Sequence, residues 1–215
     1  MARPRQPVLT RQRIVDVATS IVDSEGFDAL STRRLARELG VRAPSLYNHF
    51  ATKEEILDAV GDGIIARVDV AVSGRDWSVA LTEWARAYRR ALAAHPNAVP
   101  FLARGPARRP AGLALADAVY GALADAGWPP SYATRIGAAL RYFVMGSALG
   151  SFAQGFVDDP SLYAGRYPHL RDAHRLRGRG RQVDEGAFEL GLATLVNGFV
   201  ALYPQVAVAP PADRP

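Results

Sequence analysis

Apolar side chains recur at helical spacing along almost the whole chain, and no run of β-branched residues alternates one in, one out. That property confines the chain to all-α architectures. Ile14, Val17, Ala18, Ile21 and Val22 stand at i, i+3, i+4, i+7 and i+8, one stripe of a helix from about Arg11 to Ser24, and Gly26 follows as its terminator. Ser31 is placed to cap a short helix through Leu39, closed by Gly40. Ala43-Pro44 opens a third short helix, where the missing N–H of proline in the first turn costs no bond. Thr52-Lys53-Glu54-Glu55 is a capping box. It starts a helix whose stripe (Ile56 and Leu57, Val60, Ile64, Val68) runs to about Val72, roughly 30 Å at the usual rise.

Ser73-Gly74-Arg75-Asp76 breaks this series, and a second set of helices is expected at Trp77–Ala94, Ala111–Ala126, Ser131–Phe156 and Asp184–Tyr203. Residues 161–182 are rich in arginine and glycine and read as a mobile loop. The expected organisation is a small domain over 1–55, a larger helical domain over 56–203, and a disordered Pro/Ala-rich tail over 204–215.

Composition excludes several classes. With no cysteine there is no disulfide scaffold, no thiol nucleophile and little basis for a zinc site. The four histidines (49, 95, 169 and 174) have no metal-ligand spacing with carboxylates, so no metal and no cofactor are implied. The N-terminus runs into a polar segment without an apolar h-region, and no stretch of about 18 residues is apolar throughout. The expectation is a cytoplasmic protein with no membrane partner. Catalysis would need convergent acid, base or nucleophilic groups or a phosphate-binding glycine loop, and none is apparent. No enzyme is expected. The 26 basic and 21 acidic residues leave +5, compatible with a polyanionic partner. Residues 1–53 carry nine basic and five acidic groups, a net +4, and include Lys53, the only lysine; residues 166–181 carry six arginines and Asp172, a net +5.

Two short helices joined by a glycine turn and preceded by a supporting helix make a helix-turn-helix pattern. Leu35, Leu39, Val41, Leu46 and Phe50 would face inward, leaving Arg42, Ala43, Ser45, Tyr47, Asn48 and His49 outward for base edges and phosphates. Thr32 and Arg33 open the helix before it, and Lys53 opens the one after, where a phosphate meets free N–H groups. Each has a plainer alternative: Tyr47 as a core aromatic with its hydroxyl at the rim, Asn48 as an ordinary surface residue.

These residues carry a resemblance. The run Leu35-x3-Leu39-Gly40-Val41-x4-Leu46-Tyr47-x2-Phe50-x2-Lys53-x3-Leu57, preceded by Gly26-Phe27 and Ser31-Thr32, resembles the DNA-binding head of the tetracycline-repressor (TetR) family over residues 9–57. The resemblance implies that Thr32, Ser45, Tyr47, His49 and Lys53 contact the DNA backbone or orient the helix. It implies that Arg33, Arg42, Ala43, Pro44 and Asn48 border the bases.

The larger domain reads as self-associating. Gly146 and Gly150, four apart, would let another helix approach closely, and the final helix is apolar on more than one face. Phe188-x-Leu190-Gly191-Leu192-x2-Leu195-x-Asn197-Gly198 is similar to the last helix of the tetracycline-repressor branch, which implies a homodimer on double-stranded operator DNA. Trp84, Tyr88, Phe101, Leu102, Leu115, Val119, Tyr142, Phe143 and Met145 are candidates to line a pocket for a small-molecule effector, or simply to form the core. Tetracycline-binding members place a histidine just beyond the equivalent of His95-Pro96. This chain has Ala98-Val99-Pro100-Phe101-Leu102 there, which points to an apolar or aromatic effector. The rival binding class is an architectural DNA binder with a solid core and no effector.

Overall fold

The computed structural model describes residues 9–68, 76–105 and 108–207. Among them the α-helices are α1 (Arg11–Glu25), α2 (Thr32–Leu39), α3 (Lys53–Ile65), α4 (Trp77–Ala93), α5 (Val99–Leu102), α6 (Pro110–Asp125), α7 (Pro130–Ala148), α8 (Pro160–Tyr163) and α9 (Gly180–Val206), joined by short 3-10 turns and without strands. The protein is all-α. It divides into two compact units, Met1–Asp69 with Ala94–Leu115, and Val70–Ala93 with Ala116–Pro215. This division differs from the boundary expected at 55/56, because α3 packs on α1 and the later segment from Ala94 folds back among them.

The first unit is built on local signals. Thr10 caps α1 by accepting from the Arg13 amide, and Ser31 caps α2 by accepting from that of Arg34. Gly40 closes α2 in the left-handed conformation (φ 68°), and Val41 N–H reaches back to the Ala36 carbonyl at 3.0 Å. Ile14, Ala18, Val22, Leu30, Leu35, Leu46, Phe50 and Val60 form its core.

Two expectations need correction here. The third helix is a 3-10 turn, Ala43–Asn48, with Ser45 N–H bonded to the Arg42 carbonyl and His49 N–H to that of Leu46. Six residues with a proline in the first turn are too few to close many α-type bonds, and the tighter helix needs fewer. The next helix stops at Ile65, about 20 Å rather than 30 Å long. Gly61 and Gly63 weaken its last turns, and Arg67 and Val68 continue with i+3 turns. Residues 69–72 of the expected helix lie outside those described.

In the second unit α4, α7 and α9 pack together. At one level Arg89 of α4 lies over the Phe188 ring of α9 at 4.4 Å, and Phe188 stacks on Phe143 of α7 at 5.3 Å. Phe143 can reach because α9 carries Gly191, where a Cβ would come within 2.6 Å of the ring. At another level Trp77, Trp128 and Tyr203 cluster at 5.1–5.4 Å, and the Tyr203 hydroxyl donates to the Ala126 carbonyl. That packing holds the last turns of α9, so the helix continues through Pro204 to Val206 instead of ending at Tyr203. Residues 208–215 of the expected tail lie outside those described.

Helix α7 ends at Ala148, short of the expected Phe156, and the Phe152 N–H is taken by the Asp184 carboxylate at 3.1 Å. Residues 161–182, expected as an irregular loop, hold α8 and 3-10 turns at Ala173–Arg175 and Arg177–Arg179. The Tyr163 hydroxyl bonds both backbone groups of Val157, and buried Gly180 seats against Gln154, Ser151 and Ala153, so α9 begins there. An 18-residue window within Ala173–Val206 has a mean hydropathy of 1.4, enough by length and composition to cross a membrane. Only 17% of it is buried.

Candidate nucleic-acid interface

The 3-10 turn is clamped from behind. Leu46 and Phe50 are buried at 0% and 1% exposure, and Leu35 and Leu39 of α2 complete the inner face. Arg11, at the start of α1, lies over the Phe50 ring at 3.9 Å and donates to the His49 carbonyl at 2.6 Å. The Thr52 hydroxyl accepts from the Glu55 amide, and the Glu55 carboxylate accepts from the Ala51 amide at 2.8 Å, fixing the corner into α3. Arg34 forks between Glu25 and Glu38 and so braces α2 against the end of α1.

The outer face is what this clamp displays. Arg33, Arg42, Pro44, Tyr47 and Asn48 are exposed, and Thr32, Ala43, Ser45, His49 and Lys53 are half-buried. Tyr47, at 52% exposure, is a surface aromatic and not a core one. Lys53 opens α3, where the first N–H groups of the helix face outward. The turn therefore offers a guanidinium, a phenol, an amide, an imidazole and a hydroxyl on a rigid support. The spacing between the groups is set by a buried apolar face.

The candidate effector-lining residues are divided between the units. Phe101, Leu102 and Leu115 belong to the first: Phe101 lies 4.5 Å from Phe27 and under Arg109, and Leu102 is buried. The other six belong to the second. Trp84 and Tyr88 are buried on one stripe of α4 with rings 5.4 Å apart, and Val119 and Met145 are buried as well. The Trp84 indole N–H is buried without a hydrogen-bond partner among the described residues. Phe143 stacks on Phe188, and Tyr142, at 71% exposure, is not brought to the others.

Comparison with known proteins addresses both units. The family model for bacterial regulatory proteins of the tetR family matches residues 14–60, and that for the tetracyclin repressor-like C-terminal domain matches residues 72–203. The chain belongs to the TetR family. An HTH-type transcriptional regulator of Saccharopolyspora erythraea is 34% identical over 167 residues, 77% of this chain and 71% of the relative. The crystal structure of "a possible TetR family transcriptional regulator from Streptomyces coelicolor A3(2)" has a TM-score of 0.74 at 32% identity, covering 90% of this chain and all of that one. The TetR family protein ActR of Streptomyces coelicolor, solved in complex with actinorhodin, has a TM-score of 0.72 at 30% identity, covering 91% and 98%. The protein is a DNA-binding transcriptional regulator of this family.

Sequence reasoning did not find the residues that brace the head of this TetR regulator. Arg11 reads as one arginine among many, and its bond to the His49 carbonyl spans 38 residues. His95 reads as a helix stop. In the structure it is 6% exposed, with Nδ1 at 2.8 Å from Asp23 and Nε2 at 3.0 Å from Arg67. Ala111 N–H donates to the Asp62 carboxylate at 2.7 Å, which ties the start of α6 to α3. No local sequence signal marks these long-range pairs.

Proposed function

We propose that this regulator binds a pseudo-palindromic operator as a homodimer in the bacterial cytoplasm, represses transcription there, and is released by a small apolar or aromatic effector. The observation that carries the reading is the braced 3-10 turn, with exposed Arg42, Tyr47 and Asn48 above buried Leu46 and Phe50. Arg33, Arg42, Ala43, Pro44 and Asn48 border base edges, and Thr32, Ser45, Tyr47, His49 and Lys53 meet phosphates or orient the turn. Two such heads related by a two-fold axis would meet half-sites about one helical turn apart.

Dimerisation is supported by apolar side chains left uncovered on α7, at its C-terminal end and on α9: Tyr142 at 71%, Leu149 at 60%, Leu190 at 72% and Val200 at 47% exposure. A partner copy on this face also accounts for the weakly buried apolar window of α9. Effector release is supported by the aromatic interior around Trp84 and Tyr88, and by the ligand-bound state of its fold relative ActR. The stretch Ala98–Leu102 has no histidine, so a metal–tetracycline complex is not the effector assigned.

The test is a footprint on DNA upstream of the gene and its neighbours. The reading expects one protected inverted repeat. Tyr47→Ala and Lys53→Ala should each weaken binding by about tenfold, the order of one or two lost charge-assisted contacts, with unchanged thermal unfolding. Uniform, salt-titrated protection of all sequences would overturn the operator reading. A thermal-shift screen of small aromatic compounds, followed by release of the bound duplex, tests the effector.

A further inference from the structure

We propose that His95 is a positioning residue for DNA binding: its neutral ring latches the ends of α1 and α3 together, and protonation of the ring opens the latch. His95 is buried, and both ring nitrogens are bonded to charged side chains from other segments. A guanidinium can only donate, so the contact from Arg67 makes Nε2 the acceptor. The ring proton therefore sits on Nδ1 and is donated to the Asp23 carboxylate, whose oxygens lie at 2.8 and 3.0 Å. The chemistry of the two partners thus selects one tautomer of the neutral ring. Asn97, one turn on, adds a second tie by donating to the Asp23 carbonyl at 2.9 Å.

The latch sits where the chain passes into and out of the DNA-binding unit. Arg67 lies just before the chain leaves that unit after Asp69, and His95 just after it returns at Ala94. Asp23 is near the end of α1, whose first turn holds the reading segment through Arg11, and α3 begins with Lys53. A shift at either far end changes how those two cations are presented.

Protonation would put a second N–H on Nε2, pointing at the Arg67 guanidinium at 3.0 Å. Two donors and two positive charges would then face each other. Arg67 has to leave, while the Asp23 contact gains charge. Among the described residues, Asp23 from α1 and Arg67 from beyond α3 are the charged groups bonded to His95.

The test uses the full chain. Long-range 1H–15N correlation of the imidazoles at about pH 8, above the usual imidazole range, should show His95 as the Nδ1–H tautomer. Binding is then followed from about pH 8 to about pH 5.5, the interval in which imidazoles titrate, on the upstream duplex and on an unrelated duplex at low salt. Wild type, His95→Gln and Arg67→Met are compared. Gln can accept from Arg67 but has no ionisable ring, and His49 is unchanged in all three proteins. His95→Gln should bind like wild type at the high-pH end and change less on acidification. The wild type should lose about tenfold relative to it, a common size for a coupling between sites. Arg67→Met should start weak and show no such relative loss. An Nε2–H tautomer, or parallel pH curves for wild type and His95→Gln, overturns the proposal. The tautomer and the glutamine comparison stand even if Arg67→Met proves too unstable to measure.

Discussion

A Cβ on Gly61 would lie 2.9 Å from Arg109 Nη1, 3.1 Å from Leu102 Cδ2 and 3.2 Å from Phe101 Cε1. Arg109 and Leu102 are buried, so neither can swing away, and the hydrogen at this position lets α5 seat directly on α3. Gly61→Val is expected to destabilise the protein by about 1–3 kcal/mol through overpacking, read as a lower Tm in calorimetry. An unchanged Tm would mean that α5 is not seated there. Nothing near Gly61 in the sequence announces this, because its three neighbours come from forty or more positions further on. Ser31 and Thr52 are the opposite case. Their cap bonds close within three residues, and the sequence alone identifies both. Tyr47 lies between the two: its type and spacing admit a core or a surface role, and the buried packing of Leu46 and Phe50 turns it outward.

Helix α4 begins at a carboxylate. Asp76 accepts from the Ser78 and Val79 amides at 2.9 and 3.2 Å and from the Ser78 hydroxyl. The Ser78 hydroxyl above all, with the backbone amides, holds the Asp76 carboxyl below the usual carboxylate range. Because the folded pKa is depressed, the stability linked to this ionisation is present above the unfolded pKa and is lost as pH falls through the folded one. Asp76→Ala should therefore cost most near neutrality, on the order of 1 kcal/mol for a lost cap. The ionisation-linked part of the gap to wild type should close below about pH 4 in chemical denaturation series. A gap independent of pH would show that the carboxylate charge does not contribute.

The helices illustrate where periodicity stops being informative. The stripe of α3 continues past Ile65, and the apolar run of α7 continues past Ala148, but both helices end where side chains from elsewhere take their backbone or flanking groups. Helix α9 errs in the other direction: Pro204 reads as a stop, and aromatic packing on Tyr203 carries the helix past it. Gly146 and Gly150 illustrate the same limit. They read as close-approach positions, yet among the described residues nothing beyond their own helix and chain neighbours lies within 4 Å of a Cβ at either. Gly191 does make such an approach, beneath Phe143.

For the molecule as a whole, charge and apolar exposure fall in different places. The cations of residues 1–53 belong to the DNA-binding unit, and those of residues 166–181 to the other. In the second set Arg171 and Arg175 share Asp172, each at 3.5 Å, and Arg181 pairs with Glu185. The uncovered apolar face of α7 and α9 sets the expected oligomeric state. Leu190→Glu places a charge at its most exposed large aliphatic side chain and should convert the proposed dimer to a monomer in sedimentation velocity. Operator affinity should fall with it, since a single head loses the second half-site. A variant that remains dimeric would place the interface elsewhere.

The all-α class, the caps at Ser31 and Thr52 and the family resemblance were determined by the sequence itself. Each rests on residues within a few turns of one another, where backbone geometry alone fixes the relation. The tertiary structure decided which helices stop early, the division into units with residues 94–115 returning to the first, and the bracing by Arg11, Gly61 and the Asp23–His95–Arg67 chain. These join residues tens of positions apart. Burial and charge pairing select such partners only once the chain has folded, and no local pattern encodes them.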